Sequence, residues 1–424
     1  MTQSGKVDQD AVLRARTILL GTGRISLRQQ IWAYRVLAQE SPVANLPKLA
    51  EALLSYGNQE LEGRPQAGLA AFAEAVGAAR RLEESDRRRP ELLVRALNAY
   101  QRQLFELGRR REGIAVCEEM AGLGRRAFAA GQLAGPGHGP GRLAAVLAEE
   151  GRHPESARLF GETVAAERDR AAAGDVPFWS LAAWAAQLDA AGEPDRAVEV
   201  LTELVAATRA ELAEDRTSPA ILVWELIRLA QLLDGHGRPE PARAARAEAA
   251  VLLAELAETG ERRSWSNIQS WWTTLLGVSA RVDELPVPGE PGPAFGSPVF
   301  AWSPDVRQAY FEGRAALEAG TAALAPLAAA DPGSHLADLV VLQRRLTIRS
   351  ALYWQSRTYR IQEPLQGLFD EGVALARRLT EVDAGQGRGM LARALVDRSA
   401  FSVAVQQYGE AFADFQEASG LLDR

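Results

Sequence analysis

Over the first 260 positions apolar residues recur at three- and four-residue intervals, and strand-like alternation is scarce. That spacing predicts a run of amphipathic helices. The run is punctuated by a Gly, usually followed by Arg, at Gly23, Gly63, Gly108, Gly151, Gly192 and Gly237, so the intervals are 40, 45, 43, 41 and 45 residues. Four residues before the Gly stand Leu19, Gln59, Leu104, Leu147, Leu188 and Leu233; five after it stand Arg28, Gly68, Gly113, Ser156, Ala197 and Ala242. Nine after it stand Trp32, Phe72, Cys117, Phe160, Leu201 and Arg246. Each column has a physical reading. Gly ends a helix where the backbone turns left-handed. Pro65, Pro154, Pro194 and Pro239 open the next helix, where a missing N–H costs no hydrogen bond. A small residue sits where two helices cross, and the apolar residue one turn later lies on the same face. Each unit is therefore an antiparallel helical hairpin. Its second apolar face is covered only by stacking neighbours, which predicts an all-α fold, an α-solenoid.

Segments such as "LVRALNAYQRQLFELGRRREGIAVCEEM" and "LAAWAAQLDAAGEPDRAVEVL" carry the Gly, the small residue and the larger apolar residue in register. In this they resemble the tetratricopeptide repeat family, over roughly residues 10 to 260. The period of 40–45 residues is similar to the longer-hairpin variety of kinesin light chains and bacterial signalling proteins. On length alone HEAT-like repeats are the alternative. The resemblance implies a right-handed superhelix.

Two segments break the pattern. "GPGHGPG", residues 135–141, alternates Gly with Pro, which predicts a loop before a short helix ending near Glu150. Residues 282–304 hold six prolines and form a linker or strap. Phe295, Val299, Phe300 and Trp302 predict that part of it docks on helices. The expected organisation is an N-terminal array of about six hairpins over 1–281, the strap over 282–304, and about three degenerate hairpins over 305–424. In the last, Ala411, Phe415 and Ala418 repeat the family's spacing. Trp265, Trp271 and Trp272 lie just before the strap; two adjacent tryptophans cannot face one direction, so the strap is expected to cover one of them.

Composition narrows the function. The net charge is −7, which gives no general attraction to nucleic acid or anionic membrane. Lys6 and Lys48 are the only lysines, an Arg bias typical of a high-GC genome such as that of an actinobacterium. One cysteine, Cys117, excludes an internal disulfide and falls in a core column. The polar N-terminus and the lack of an 18-residue apolar run point to a soluble cytoplasmic protein without a membrane span. His138, His153, His236 and His335 form no metal-ligand spacing, and His153 and His236 are read as solvated turn residues. No phosphate loop, nucleotide fingerprint or nucleophile elbow occurs, so no catalytic residue, cofactor or metal is expected. Residues 14–38 are also readable as helix-turn-helix, but they fit the repeat columns better, and nucleic acid is not the expected partner.

The family resemblance implies a partner groove lined by first helices, at about 13, 10, 6 and 2–3 residues before the turn Gly. Those positions hold Arg95, Asn98, Arg102 and Glu106 before Gly108; Trp179 and Asp189 before Gly192; and Trp224, Gln231 and Asp234 before Gly237. Arg95, Asn98 and Arg102 share one helix face by spacing alone and suit an acidic side chain or a peptide backbone. With two lysines in the chain, the family's carboxylate clamp for chaperone tails is not expected. The function expected is a non-enzymatic adaptor or regulator that binds a protein or peptide segment. The alternative is a regulator whose superhelix closes on a peptide or metabolite and so controls another protein or DNA. The partner and the oligomeric state are not encoded in any motif.

Overall fold

The computed structural model describes residues 8–21, 23–133, 135, 139–170, 177–261, 267–284, 286–355 and 360–423. Trp265, His138 and the middle of "GPGHGPG" lie outside the described residues. Helices α1–α18 account for most of the described chain, and no strand occurs among the described residues. Contacts gather into two units that are not divided at the strap. One comprises residues up to Val146 with 165–170 and 303–305; the other comprises the remainder.

In the first unit, α1 (Gln9–Leu20), α2 (Leu27–Glu40), α3 (Pro42–Glu60), α4 (Pro65–Arg80), α5 (Arg89–Glu106) and α6 (Arg110–Ala129) pack consecutively. Leu53, Phe72, Ala75, Leu93, Leu97 and Met120 belong to one continuous core. The small-residue column is sterically enforced. A Cβ on Gly113 would stand 2.9 Å from the Phe105 ring, and one on Gly68 would stand 2.6 Å from Gln103 Oε1. The Gly column fails in the first hairpin. Gly23 does not take the left-handed conformation, and α2 is started instead by a capping box between Ser26 and Gln29.

The short helix α7 (Gly139–Glu149) begins within "GPGHGPG", and α8 (His153–Arg170) follows Gly151. The turn after α7 shows how the Gly column works. Gly151 has φ +70°, Arg152 N donates to Leu147 O at 2.9 Å, and Gly151 N donates to Ala148 O at 3.0 Å. This is a Schellman motif, and the Leu column supplies its accepting carbonyl. The same pair of bonds recurs at Gly108, Gly192 and Gly237. At Gly63, where the column holds Gln59, Arg64 N donates to Leu61 O instead.

In the second unit, α9 (Phe178–Ala190), α10 (Pro194–Ala213), α11 (Pro219–Gly235) and α12 (Pro239–Thr259) continue the hairpin pattern. Then the order departs from a simple stack. Helix α13 (Ile268–Ala280) carries no charged side chain and is buried all round against α11, α15 (Pro332–Trp354) and α17 (Ala384–Ala404). Helix α14 (Pro304–Ala330) crosses α15 closely at Gly313 and Gly320. Helix α16 (Gln362–Val382) packs between α15 and α17, and α18 (Tyr408–Leu422) closes the last hairpin on α17. That hairpin docks on α11–α12: α18 lies on α12 and α17 touches α11. Two runs of hairpins thus meet end to end, each covering the apolar face the other would expose.

This docking explains the polar misfit in the apolar column. Arg246 is buried, pairs with Asp234, and donates to Asp423 Oδ1 at 2.6 Å. The α17–α18 turn is itself a Schellman motif, with Gln407 N to Ser402 O at 2.8 Å and Gln406 N to Val403 O at 3.1 Å. Its left-handed residue is Gln406, φ +64°, where the turns at positions 63, 108, 151, 192 and 237 have Gly; Asp215, φ +65°, plays the same part after α10. Outer helices are joined by ion pairs 39 or 40 residues apart, the first three of them bidentate. Arg35 meets Glu74, Arg80 meets Glu119, Arg209 meets Glu248 and Arg377 meets Glu417. Each is exposed and contributes at most about 1 kcal/mol.

Candidate functional site

On α5, Arg95, Arg102 and Glu106 are exposed and Asn98 is half-buried, so the polar residues share one accessible face. Leu93, Leu97 and Leu104 anchor the opposite face in the core. Asn98 is oriented from below. Buried Gln101 donates from Nε2 to Asn98 Oδ1 at 3.2 Å and accepts from Arg142 Nε at 3.4 Å. Cys117 Sγ, fully buried, lies 3.7 Å from Gln101 Oε1 and is a packing residue. Holding Asn98 by its oxygen leaves its amide hydrogens for a ligand. Glu106 accepts from Gln103 Nε2 at 2.8 Å. Neither Arg95 nor Arg102 has an ion-pair or hydrogen-bond partner among the described residues.

The equivalent positions in the second unit are covered by the chain itself. Trp224 is buried and donates from Nε1 to Ala400 O at 3.0 Å. Trp179 is half-buried, with ring centroids 4.9 Å from Trp271 and 6.0 Å from Phe300. Trp271 and Trp272 are both buried, and their ring contacts are with helices: Trp271 meets Phe178 and Trp179 of α9, whereas Trp272 meets Phe369 and Phe401. The strap does dock. Gln187 donates to Phe295 O at 2.8 Å, Gly292 N to Glu149 O at 2.8 Å, and Gly296 adopts φ +94° against Ala186. Phe295, Trp302 and Tyr310 form an edge-to-face cluster, while Phe300 remains exposed.

Asp189 is engaged rather than open. It accepts from Arg281 and from His236 Nε2, the latter at 2.8 Å, with Arg228 at 3.6 Å. Burial opposes its charge, but Arg281, His236 and Arg228 outweigh burial and hold its carboxyl below the usual range. His236 is thus an exposed turn residue, as expected, but tethered, because the α11–α12 turn carries it over Asp189. His153 is likewise held, with Nδ1 2.9 Å from Gln187 Oε1. Asp234 pairs with Arg246, and burial still leaves its carboxyl above the ordinary value. Gln231 is half-buried without a hydrogen-bond partner among the described residues.

No motif in the sequence marks the polar cluster around α17. Asp397 is buried and accepts from Arg344 Nε at 2.7 Å; Arg344 also pairs with Asp283. Burial raises the Asp397 carboxyl, partly countered by Arg344. Asp283, Arg344 and Asp397 edge a narrow cleft walled by Val340, Phe369 and Met390. A second, narrow cleft with room for about one or two waters lies between α11, α13 and α17, lined by Arg228, Gln231, Trp224 and Trp272. Arg228 stands one helical turn beyond Trp224, so the groove register pointed at this helix face without naming the residue. Among the described residues no three His, Cys, Asp or Glu side chains converge as metal ligands. No helix among them is long and apolar enough to cross a membrane.

No protein-family model matches the sequence, and no curated protein matches it. Solved structures do. BtubC (BKLC) from P. vanneervenii is 18% identical with TM-score 0.41, covering 59% of this chain and 96% of its own. A Podosopora anserina putative kinesin light chain with nearly identical TPR-like repeats is 18% identical with TM-score 0.37, covering 53% of this chain and 100% of its own. A substituted form of that protein gives 18% and 0.37, covering 51% and 97%. These are similarities of fold at low identity. The repeat character rests on this chain's own geometry: antiparallel helical hairpins, turned by left-handed glycines and crossed at small residues, make a TPR-like α-solenoid.

Proposed function

We propose that the chain is a non-enzymatic binding module that holds an acidic segment of another protein against α5. The observation that carries this reading is the contrast between equivalent positions. Arg95, Asn98 and Arg102 are accessible, and both arginines are without partners among the described residues. Trp179, Asp189 and Trp224 are instead occupied by α13, the strap and neighbouring helices. Arginine forks grip carboxylates bidentately, and an Asn amide held by its oxygen donates to a peptide carbonyl. The test is an affinity purification from the source cells, with wild type beside an Arg95→Ala, Asn98→Ala, Arg102→Ala variant of equal helix content by circular dichroism. A protein kept by wild type and lost by the variant is expected. Equal recovery from both would remove the α5 face from consideration.

A further inference from the structure

The first hairpin keeps open an apolar seat that the later hairpins have filled. In the column nine residues after the turn Gly, Phe72, Cys117, Phe160, Leu201 and Arg246 are all buried, at 0–5% exposure. Trp32, in the same column, is 37% exposed. The second hairpin shows what Trp32 lacks. Phe72 lies over Gly57 of its own hairpin, where a Cβ would stand 2.3 Å from its ring. Phe72 also shares a core with Ile31 and Ala38 of the hairpin before it, and Arg35 of that hairpin reaches Glu74. In the first hairpin Thr17 takes the place of Gly57, six residues before the turn Gly. Thr17, Leu13, Ile18 and Trp32 line an open groove of about 640 Å³ between α1 and α2. Leu13 is 66% exposed and Leu20, at the end of α1, is 83% exposed.

A solenoid end that meets only water has a polar outer face, and an apolar one marks a docking surface. The repeat sets the occupant's shape: a helical hairpin covers Phe72, so a helix suits the seat beside Trp32. Charge sets its chemistry. The charged residues lining the groove are both arginines, Arg14 and Arg28, and both are exposed. Arg14 donates only within its own helix, to Asp10 O at 3.3 Å. Arg28 stands 3.8 Å from Glu60, beyond hydrogen-bonding distance. A second copy seated on the same groove would set these arginines against their like, whereas acids would be drawn to them. We propose that the α1–α2 groove docks an amphipathic helix of another protein, with its apolar stripe on Leu13, Ile18 and Trp32 and acidic flanks on Arg14 and Arg28. The inference does not rest on the α5 reading, since it uses a different surface.

The test uses the full chain and two labelled helical peptides, EELFEELLEELFEEL and its charge-reversed form KKLFKKLLKKLFKKL, with affinity read by fluorescence anisotropy. The chain's net charge of −7 favours the basic peptide in general, so a preference for the acidic one reports a local site. The acidic peptide is expected to bind about tenfold or more tighter than the basic one. Trp32→Ala should weaken it about tenfold or more, and Leu13→Glu about fivefold or more. Arg14→Glu with Arg28→Glu should reverse the preference. Leu13 is exposed, so Leu13→Glu carries the test if Trp32→Ala does not fold. No binding of the acidic peptide at millimolar concentration, equal or tighter binding of the basic one, or acidic binding unchanged in Leu13→Glu would each overturn the proposal. A dimer in sedimentation that Leu13→Glu dissolves would overturn it too, by making a second copy the occupant. Acidic binding lost in the Arg95→Ala, Asn98→Ala, Arg102→Ala variant but kept in Leu13→Glu would overturn it while leaving the α5 reading in place.

Discussion

The α17–α18 turn offers a quantitative check on the repeat's backbone logic. Gln406 sits at φ +64° in a turn whose two closing hydrogen bonds, 2.8 and 3.1 Å, are made by backbone atoms alone. Its side chain is exposed, so Gln406→Gly removes no packing. A non-Gly residue in the left-handed region costs about 1–2 kcal/mol. Glycine returns roughly 0.5–1 kcal/mol of that through the greater freedom of the unfolded chain. The net expectation is a stabilisation of about 1 kcal/mol, or about 2–4 °C for a unit of this size. Eight of the nine tryptophans lie beyond residue 178, so a fluorescence melt reads the second unit almost selectively. The reciprocal change is Gly237→Gln, where φ is +68° and a Cβ would meet nothing within 4 Å. It should lower the same transition by about 1 kcal/mol through the backbone alone. A Gln406→Gly melt that is unchanged or lower, with Gly237→Gln behaving as expected, would refute the idea that this turn is strained.

Three further expectations follow from the packing. Gly113→Val drives a branched side chain into the Phe105 ring and should destabilise the first unit by about 1–3 kcal/mol, read by circular dichroism melting. Asp423→Asn removes one partner of buried Arg246 and should lower the second unit by about 1–2 kcal/mol, discounted because the acid is about one-third exposed; an unchanged tryptophan melt would mean that Arg246 is satisfied by Asp234 alone. Glu225 is buried on α11, faces Thr208 and Trp271, and makes no hydrogen bond that fully offsets burial, which pushes its carboxyl well above the ordinary value. For an acid raised in the folded state, the unfolded state loses its proton first. Stability from this group is therefore present below the ordinary value near 4.5 and falls as pH rises toward the folded value. Glu225→Gln should raise the melting temperature more at pH 8 than at pH 5, and equal shifts at both would contradict a neutral Glu225.

Much of the hairpin pattern is legible in the sequence because it is local. A Gly at the end of a helix, a Leu whose carbonyl closes the turn and a small crossing residue all act within ten positions of one another. The failures are equally physical. Gly23 looks like its counterparts, yet a capping box at Ser26 starts that helix without a left-handed residue. Gln406 is invisible as a turn because the sign of the turn is glycine, and here another residue bears the strain. Arg246 breaks its column for a reason that lies 177 residues away, at Asp423. The burial of Trp179 and Trp224 likewise depends on α13 and α17, which the period of the hairpins does not place. The Glu at the eleventh position after most turns forms a charge column whose role shows only in the ion pairs it makes. Of the groove residues, the trio on α5 can be placed on one face from spacing alone, whereas the ion pair of Arg228 with Asp189 joins two helices and has no local sign.

The end-to-end docking of α18 on α12 also sets a timetable for biosynthesis. Arg246 leaves the ribosome 177 residues before Asp423, the acid that completes its pairing. At roughly 5–20 residues per second the interval is about 10–35 s. Throughout it, the face of α12 meant for α18 has no lasting cover, and α13 has only part of its surroundings. The nascent chain must therefore pass through a long-lived state with an apolar helix face open to chaperones or to a neighbouring copy, and the second unit finishes folding only when its most distant hairpin arrives.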